Sequence, residues 1–219
     1  KTYVDPLTQL LQQSGPADAE TLVHDLTEAI DEAAEDPRIT SLVLELDYLL
    51  GGGLTKLEEV AQALSRFRES DKPIIAVGDS YTQEQYYLAS FADEIHLNPM
   101  GAVLITGYGS SPNSIKGALD KLRINVHVFR VGSYKDAIEP FTRTDMSPAS
   151  REHNSAWLNA LWSTYTRRVE TQRGLPVDAI NDYVNNLTSK LEDHRGNTAE
   201  TAVARGLGDK LSTRPQMLA

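Results

Sequence analysis

The sequence predicts an α/β fold, a mostly parallel sheet flanked by helices, with a carboxyl-terminal helical extension. Three observations carry that reading. Apolar residues at helical spacing alternate with short β-rich runs along the first two thirds of the chain. The runs are separated by helix-length segments rather than two-residue turns, so the strands should be parallel with right-handed crossovers. From about residue 147 the β-rich runs stop and helical patterns continue to the end.

The elements follow in order. Leu22, Val23, Leu26, Ala29, Ile30 and Ala33 place one apolar face on a helix over 19–36, with Asp18 as its cap and Pro37 as its stop. "ITSLVLEL" (39–46) reads as a buried strand. "GGG" at 51–53 is a loop, and Leu57, Val60, Ala61, Leu64 and Phe67 mark a helix over 54–67. "IIAVG" (74–78) is the next strand, a helix starts near Thr82, and "EIHL" (94–97) is a further short strand. A helix is expected over 111–124 and a strand over "VHVFRV" (126–131). Ser147 as cap, Pro148 in the first turn and Gly174 as terminator frame one long helix, whose apolar stripe runs from Trp157 through Leu158, Leu161, Trp162 and Tyr165 to Val169. Helical patterns follow near 176–185 and 198–205. The whole is read as one α/β domain, 1–219.

Bulk properties narrow the function. The 219 residues are 40% apolar and 24% charged, ordinary for a globular protein. The net charge of −10 argues against a nucleic-acid or anionic-membrane surface, which needs a basic patch. No run of 18 apolar residues occurs. The absence of cysteine excludes disulfides, thiolate metal sites and a cysteine nucleophile. His24, His96, His127, His153 and His194 show no metal-ligand spacing, so no metal site and no cofactor are expected. "LLGGGLT" and "ITGYGSS" match no phosphate-binding pattern and read as loops of close backbone approach.

Two places remain for chemistry. In "VGDSYTQEQYYLAS" (77–90) a strand ends at Gly78 and a helix begins near Thr82, a junction that directs backbone N–H groups toward one point. The residue where a nucleophile belongs is Gln83, an amide without nucleophilic chemistry; Ser80 and Ser90 lie in no nucleophile-elbow pattern. The plain alternative is a tight turn with Tyr86, Tyr87 and Leu88 in the core. In "VGSYKDAIEPF" (131–141), Lys135 follows Gly132 and Tyr134 at the expected carboxyl end of a strand, where open α/β sheets place their sites. A lysine becomes a general base only if its pKa falls from about 10.4 toward neutrality, usually by desolvation. Tyr134, Ile138 and Phe141 are candidates for that apolar surround. Asp136 and Glu139 oppose it unless they face elsewhere. By residue type alone, a lysine in a turn is most often a solvated charge.

"HVFRVGSYKDAIEPFTRTDMSP", "QYYLASFADEIHLNPMG" and "SREHNSAWLNALW" together resemble the amino-terminal half of the long, two-repeat form of the signal peptide peptidase A (protease IV) family. The resemblance runs from the first helix to "GLGDKLS". It implies a crotonase/Clp-protease-like fold and a serine endopeptidase with a Ser–Lys dyad. Lys135 matches the family's general base. Gln83 matches the position of the nucleophile, so this half resembles a repeat that keeps the lysine and lacks the serine. Gly78, Gly132 and Tyr134 then shape the site. The serine is implied in a carboxyl-terminal domain outside this chain, in a segment of the type GDxxASGGYW, and the fragment alone is expected to be inactive.

The resemblance also implies signal peptides or other hydrophobic segments as substrates, held beside Lys135 in an apolar groove by strand-like pairing. It further implies a homo-oligomer on the periplasmic side of a bacterial inner membrane, with a strand and a membrane anchor ahead of "KTYVDPLTQ". Two other readings compete: a non-catalytic peptide-binding scaffold of the same fold, and a crotonase-type acyl-CoA enzyme. Against the latter, only Glu84 lies near the oxyanion region.

Overall fold

The computed structural model describes residues 21–129, 131–132 and 134–217. The chain divides into two compact units, one built from the residues up to Thr106 and from Tyr165 onward, the other from Gly107–Thr164. The expected cap Asp18 lies outside the described residues.

In the first unit the elements are α1 (Val23–Glu35), β1 (Leu42–Glu45), α2 (Leu54–Arg68), β2 (Ile74–Gly78), β3 (Tyr81–Thr82), α3 (Gln83–Ala89), β4 (Glu94–Leu97) and β5 (Val103–Leu104). Strands β1, β2 and β4 pair in parallel, as do β3 and β5 in a separate two-stranded ladder. Parallel strands joined through helices are what the alternating pattern predicts. The helix α1 packs on α2, and α2 on α3. The core is formed by Leu64, Phe67, Ile74, Tyr86, Phe91 and Ile95, all with no solvent exposure. Burying side chains of this size contributes about 1.5–3 kcal/mol each.

The second unit holds α4 (Lys116–Lys121), α5 (Glu139–Thr142) and the first part of α6 (Pro148–Arg173). The helix expected over 111–124 is reduced to α4; at its carboxyl end Arg123 turns to a φ of +55°, just past the last helical turn. The expected strand over 126–131 is not formed: residues 126–129 and 131 belong to no strand. A strand persists through its ladder hydrogen bonds, and no ladder among the described residues includes this stretch. Phe129 and Val131 are left almost fully exposed. The long helix α6 has the expected frame. Ser147 Oγ accepts from Ser150 N at 3.1 Å, and Gly174 ends it at a φ of +61°. Its apolar stripe is buried at Tyr165 and Val169, whereas Trp157 is exposed.

The first unit resumes with α7 (Ala179–Asn185), α8 (Leu187–Asp193), α9 (Thr198–Ala204), β6 (Lys210–Leu211) and α10 (Arg214–Met217). The strand β6 adds to the sheet beside β4, giving the parallel order β1-β2-β4-β6.

A polar network ties this unit together. Arg168 and the Tyr87 hydroxyl both donate to the Glu58 carboxylate, and Arg168 lies over the Phe91 ring, 5.8 Å from its centre. Partial burial pushes the Glu58 carboxyl up, but the bonds from Arg168, Tyr87 and Gln62 outweigh it, and the net shift is downward. A carboxyl lowered in the folded state stabilises above its unfolded value of about 4.3, and that stability is lost as pH falls through the folded value. Glu58→Gln should therefore flatten the fall in the urea midpoint between about pH 5 and pH 3, where carboxylates titrate. Parallel midpoint curves for the two proteins would show that Glu58 has no such role.

Candidate active site

Lys135 sits in the turn between Gly132 and α5, and its side chain is exposed. Gly132 adopts a φ of +106°, a conformation side chains resist, so the turn requires glycine there. Tyr134 is more than half exposed; its hydroxyl donates to Glu152 Oε2 at 3.3 Å and its ring meets His153 edge to face. The apolar surround expected from Tyr134, Ile138 and Phe141 is not built: Tyr134 and Phe141 are exposed and Ile138 is half-buried.

The two neighbouring carboxylates are turned away into a polar network at the start of α6. Asp136 Oδ2 accepts from Ser150 Oγ at 2.8 Å and from Asn154 Nδ2 at 3.5 Å, with His153 Nδ1 at 3.8 Å. The Ser150 hydroxyl, first, and then the nearby His153 hold the Asp136 carboxyl below its ordinary range. Glu139 Oε2 accepts from the backbone N–H of Ser147, the α6 cap, at 3.0 Å. Among the described residues of this unit, only Glu139, Ser147 and Ser150 are buried, and all three are polar. A cavity of about 470 Å³ adjoins them, lined by residues such as Ser110, Asp136, Glu139, Arg143 and Asn154. Its lining is mixed, with Pro112, Pro140 and Met146 beside the polar groups, and Lys135 is not among the lining residues.

Gln83 is the first residue of α3 in the other unit, and it is buried. Its Oε1 accepts from Thr106 N at 3.2 Å and its backbone carbonyl accepts from the Tyr165 hydroxyl at 3.1 Å. The amide thus holds the chain leaving β5. The helix start is closed by a capping box: Thr82 N donates to Gln85 Oε1 at 2.8 Å, and Gln85 N donates to Thr82 Oγ1 at 3.4 Å. Two of the donors expected to face a reacting group are therefore satisfied locally. Tyr86, Tyr87 and Leu88 are buried, as the plain reading of this junction expects.

Gly78 proves to be a site of close packing. A Cβ there would lie 2.9 Å from the Tyr81 ring, whose hydroxyl donates to His96 O at 2.8 Å. An apolar groove of about 420 Å³ also exists in this unit, lined by Leu22, Leu26, Tyr48, Leu50, Gly52 and Val60 among others. Residue spacing could not have revealed it, because it joins α1, the loop after β1 and α2. Among the described residues no cluster of three or more His, Cys, Asp or Glu side chains suits a metal ion, and no helix is long and apolar enough to cross a membrane.

Residues 66–219 match peptidase family S49. The chain is 40% identical over 212 residues to Protease 4 of Haemophilus influenzae, covering 97% of this chain and 34% of that protein. It is also 40% identical over 205 residues to Protease 4 of Salmonella typhi, covering 94% and 33%. The chloroplastic serine protease SPPA of Arabidopsis thaliana is 26% identical over 167 residues, covering 76% and 24%. The chain thus spans about a third of the length of its bacterial relatives. Among solved structures, an enoyl-CoA hydratase/isomerase family protein from Silicibacter pomeroyi aligns at a TM-score of 0.30 and 17% identity, covering 90% of this chain and 94% of that one. A second from Acinetobacter baumannii aligns at 0.34 and 15%, covering 84% and 85%. Likeness at these scores bears neither on the fold nor on the chemistry of this chain.

Proposed function

The chain belongs to peptidase family S49, and from that premise we propose that it supplies the general base, Lys135, to a serine endopeptidase whose nucleophile lies outside these 219 residues. The observation that carries the reading is the pair of positions the family match spans. Residue 83 heads a helix at the end of a strand but bears an amide. Lys135 stands exposed while Asp136 and Glu139 face α6.

In the proposed reaction Lys135 Nζ, unprotonated, takes the proton from a serine hydroxyl as its oxygen bonds to the scissile carbonyl carbon. The ammonium then gives that proton to the departing amine as the carbon–nitrogen bond breaks. Water and the same lysine release the acyl group. A lysine serves this way when it is desolvated, and on this chain Lys135 is exposed. The serine-bearing domain or a neighbouring copy would cover it. The exposed apolar side chains Leu122, Ile124, Phe129 and Val131 fit contact with such a partner in a homo-oligomer. The substrates would be extended hydrophobic segments such as cleaved signal peptides, and the location the bacterial envelope. The family match favours this reading over an acyl-CoA enzyme.

An apolar fluorogenic peptide tests it. The full-length protein should hydrolyse the peptide, and the 219-residue chain alone should not exceed the uncatalysed rate. Comparable turnover by the isolated chain would place a nucleophile within it and overturn the proposal.

A further inference from the structure

Among the described residues of the unit that carries Lys135, the buried ones are all polar. They are Glu139, Ser147 and Ser150, and they form one connected set with Asp136. Ser147 Oγ caps α6 by accepting from Ser150 N, Ser150 Oγ donates to Asp136 Oδ2, and Asn154, one turn further, donates to the same oxygen and to Ser150 O at 2.8 Å. Asp136 is the residue next to Lys135, so fixing its side chain fixes the adjoining backbone. Glu139 repeats the attachment three residues later, through Ser147 N at 3.0 Å.

On the reading that Lys135 is the base, we propose that Asp136 is a positioning residue: by accepting from Ser150 and Asn154 it pins the turn carrying Lys135 to the first two turns of α6. The carboxylate touches neither substrate nor nucleophile in this role. It removes freedom from a turn that contains Gly132 and, among its described residues, joins no strand ladder. A misplacement of about 1 Å at a reacting group can cost about a hundredfold in rate, so the anchor should be visible in kcat rather than in KM.

The test uses the full-length protein with Asp136→Ala, Asp136→Asn, Ser150→Ala and Lys135→Ala, read as kcat, KM and melting temperature on an apolar peptide. Asp136→Ala should lower kcat by about ten- to a hundredfold with KM little changed. Asp136→Asn keeps an oxygen that accepts from Ser150 and should recover most of the rate. Ser150→Ala should lower kcat in the same direction by a smaller factor, with a near-native melting temperature; this variant decides the matter should Asp136→Ala fail to fold. Asp136→Ala with wild-type kcat, or Asn no better than Ala, or Ser150→Ala without effect, would overturn the positioning role while an inactive Lys135→Ala leaves the base reading standing. An active Lys135→Ala would overturn both.

Discussion

Replacing Lys135 with alanine in the full-length protein should lower kcat/KM for an apolar peptide by at least about a thousandfold, with folding unaffected. The size follows from the role: a serine hydroxyl is a weak nucleophile without a base, and removing a member of such a nucleophile–base pair costs several orders of magnitude, or more than about 4 kcal/mol of transition-state stabilisation. Stability should be little affected because Lys135 is exposed, and Asp136 and Glu139 anchor its turn to α6. Lys135→Arg should not restore activity, since a guanidinium keeps its proton at any working pH. Steady-state kinetics with a thermal melt on each variant measures both halves of the prediction. Full activity in Lys135→Ala would leave a peptide-binding scaffold as the reading of this domain, with the catalytic base elsewhere.

Gly101→Ala should destabilise the first unit by about 3 kcal/mol, toward the upper end for forced overpacking, or prevent folded protein from accumulating. A Cβ at residue 101 would stand 1.8 Å from the backbone oxygen of Asp79 and 3.0 Å from that of Asn98. The segments that carry these carbonyls are tied to one another by hydrogen bonds. Gly101 N donates to Asn98 O at 2.8 Å, and Thr198 Oγ1 donates to Gly101 O at 2.6 Å. Asn98 Nδ2 donates to Asp79 Oδ1 at 2.9 Å, and Tyr81 N donates to Ala102 O at 2.9 Å. The clash therefore falls on the segment that leads into α3 and residue 83. The urea midpoint compared with wild type measures the loss; a change within about 0.5 kcal/mol, the usual range for an innocuous surface change, would show that the segment yields.

What was legible in the sequence was local. Periodicity placed β2 and β4 at their observed bounds, and it placed α2 and α6 within a residue at either end. Each depends on neighbours a few positions away. The expectation at Gln83 came from its place at the start of a helix after a strand and from the family resemblance, and the structure does place Gln83 first in α3. The strand expected over 126–131 failed because β-rich composition does not supply a partner strand. The short strands β3, β5 and β6 were missed because two residues carry no period. They exist through pairing with distant segments, as when His96 pairs with Lys210.

The site divides in the same way. By itself the sequence determined which side chains are available: a lysine after a glycine, an amide at the start of a helix, no cysteine, and glycines in "NPMG" and "AVGDS". Only the tertiary structure decided where the charges beside that lysine point and which glycines have no room for a methyl group. Asp136 meets Ser150 fourteen residues away, and Gly101 meets the carbonyl of Asp79. Carboxylate direction and backbone contact are set by which segments the packed fold brings together, and residue spacing carries no record of that.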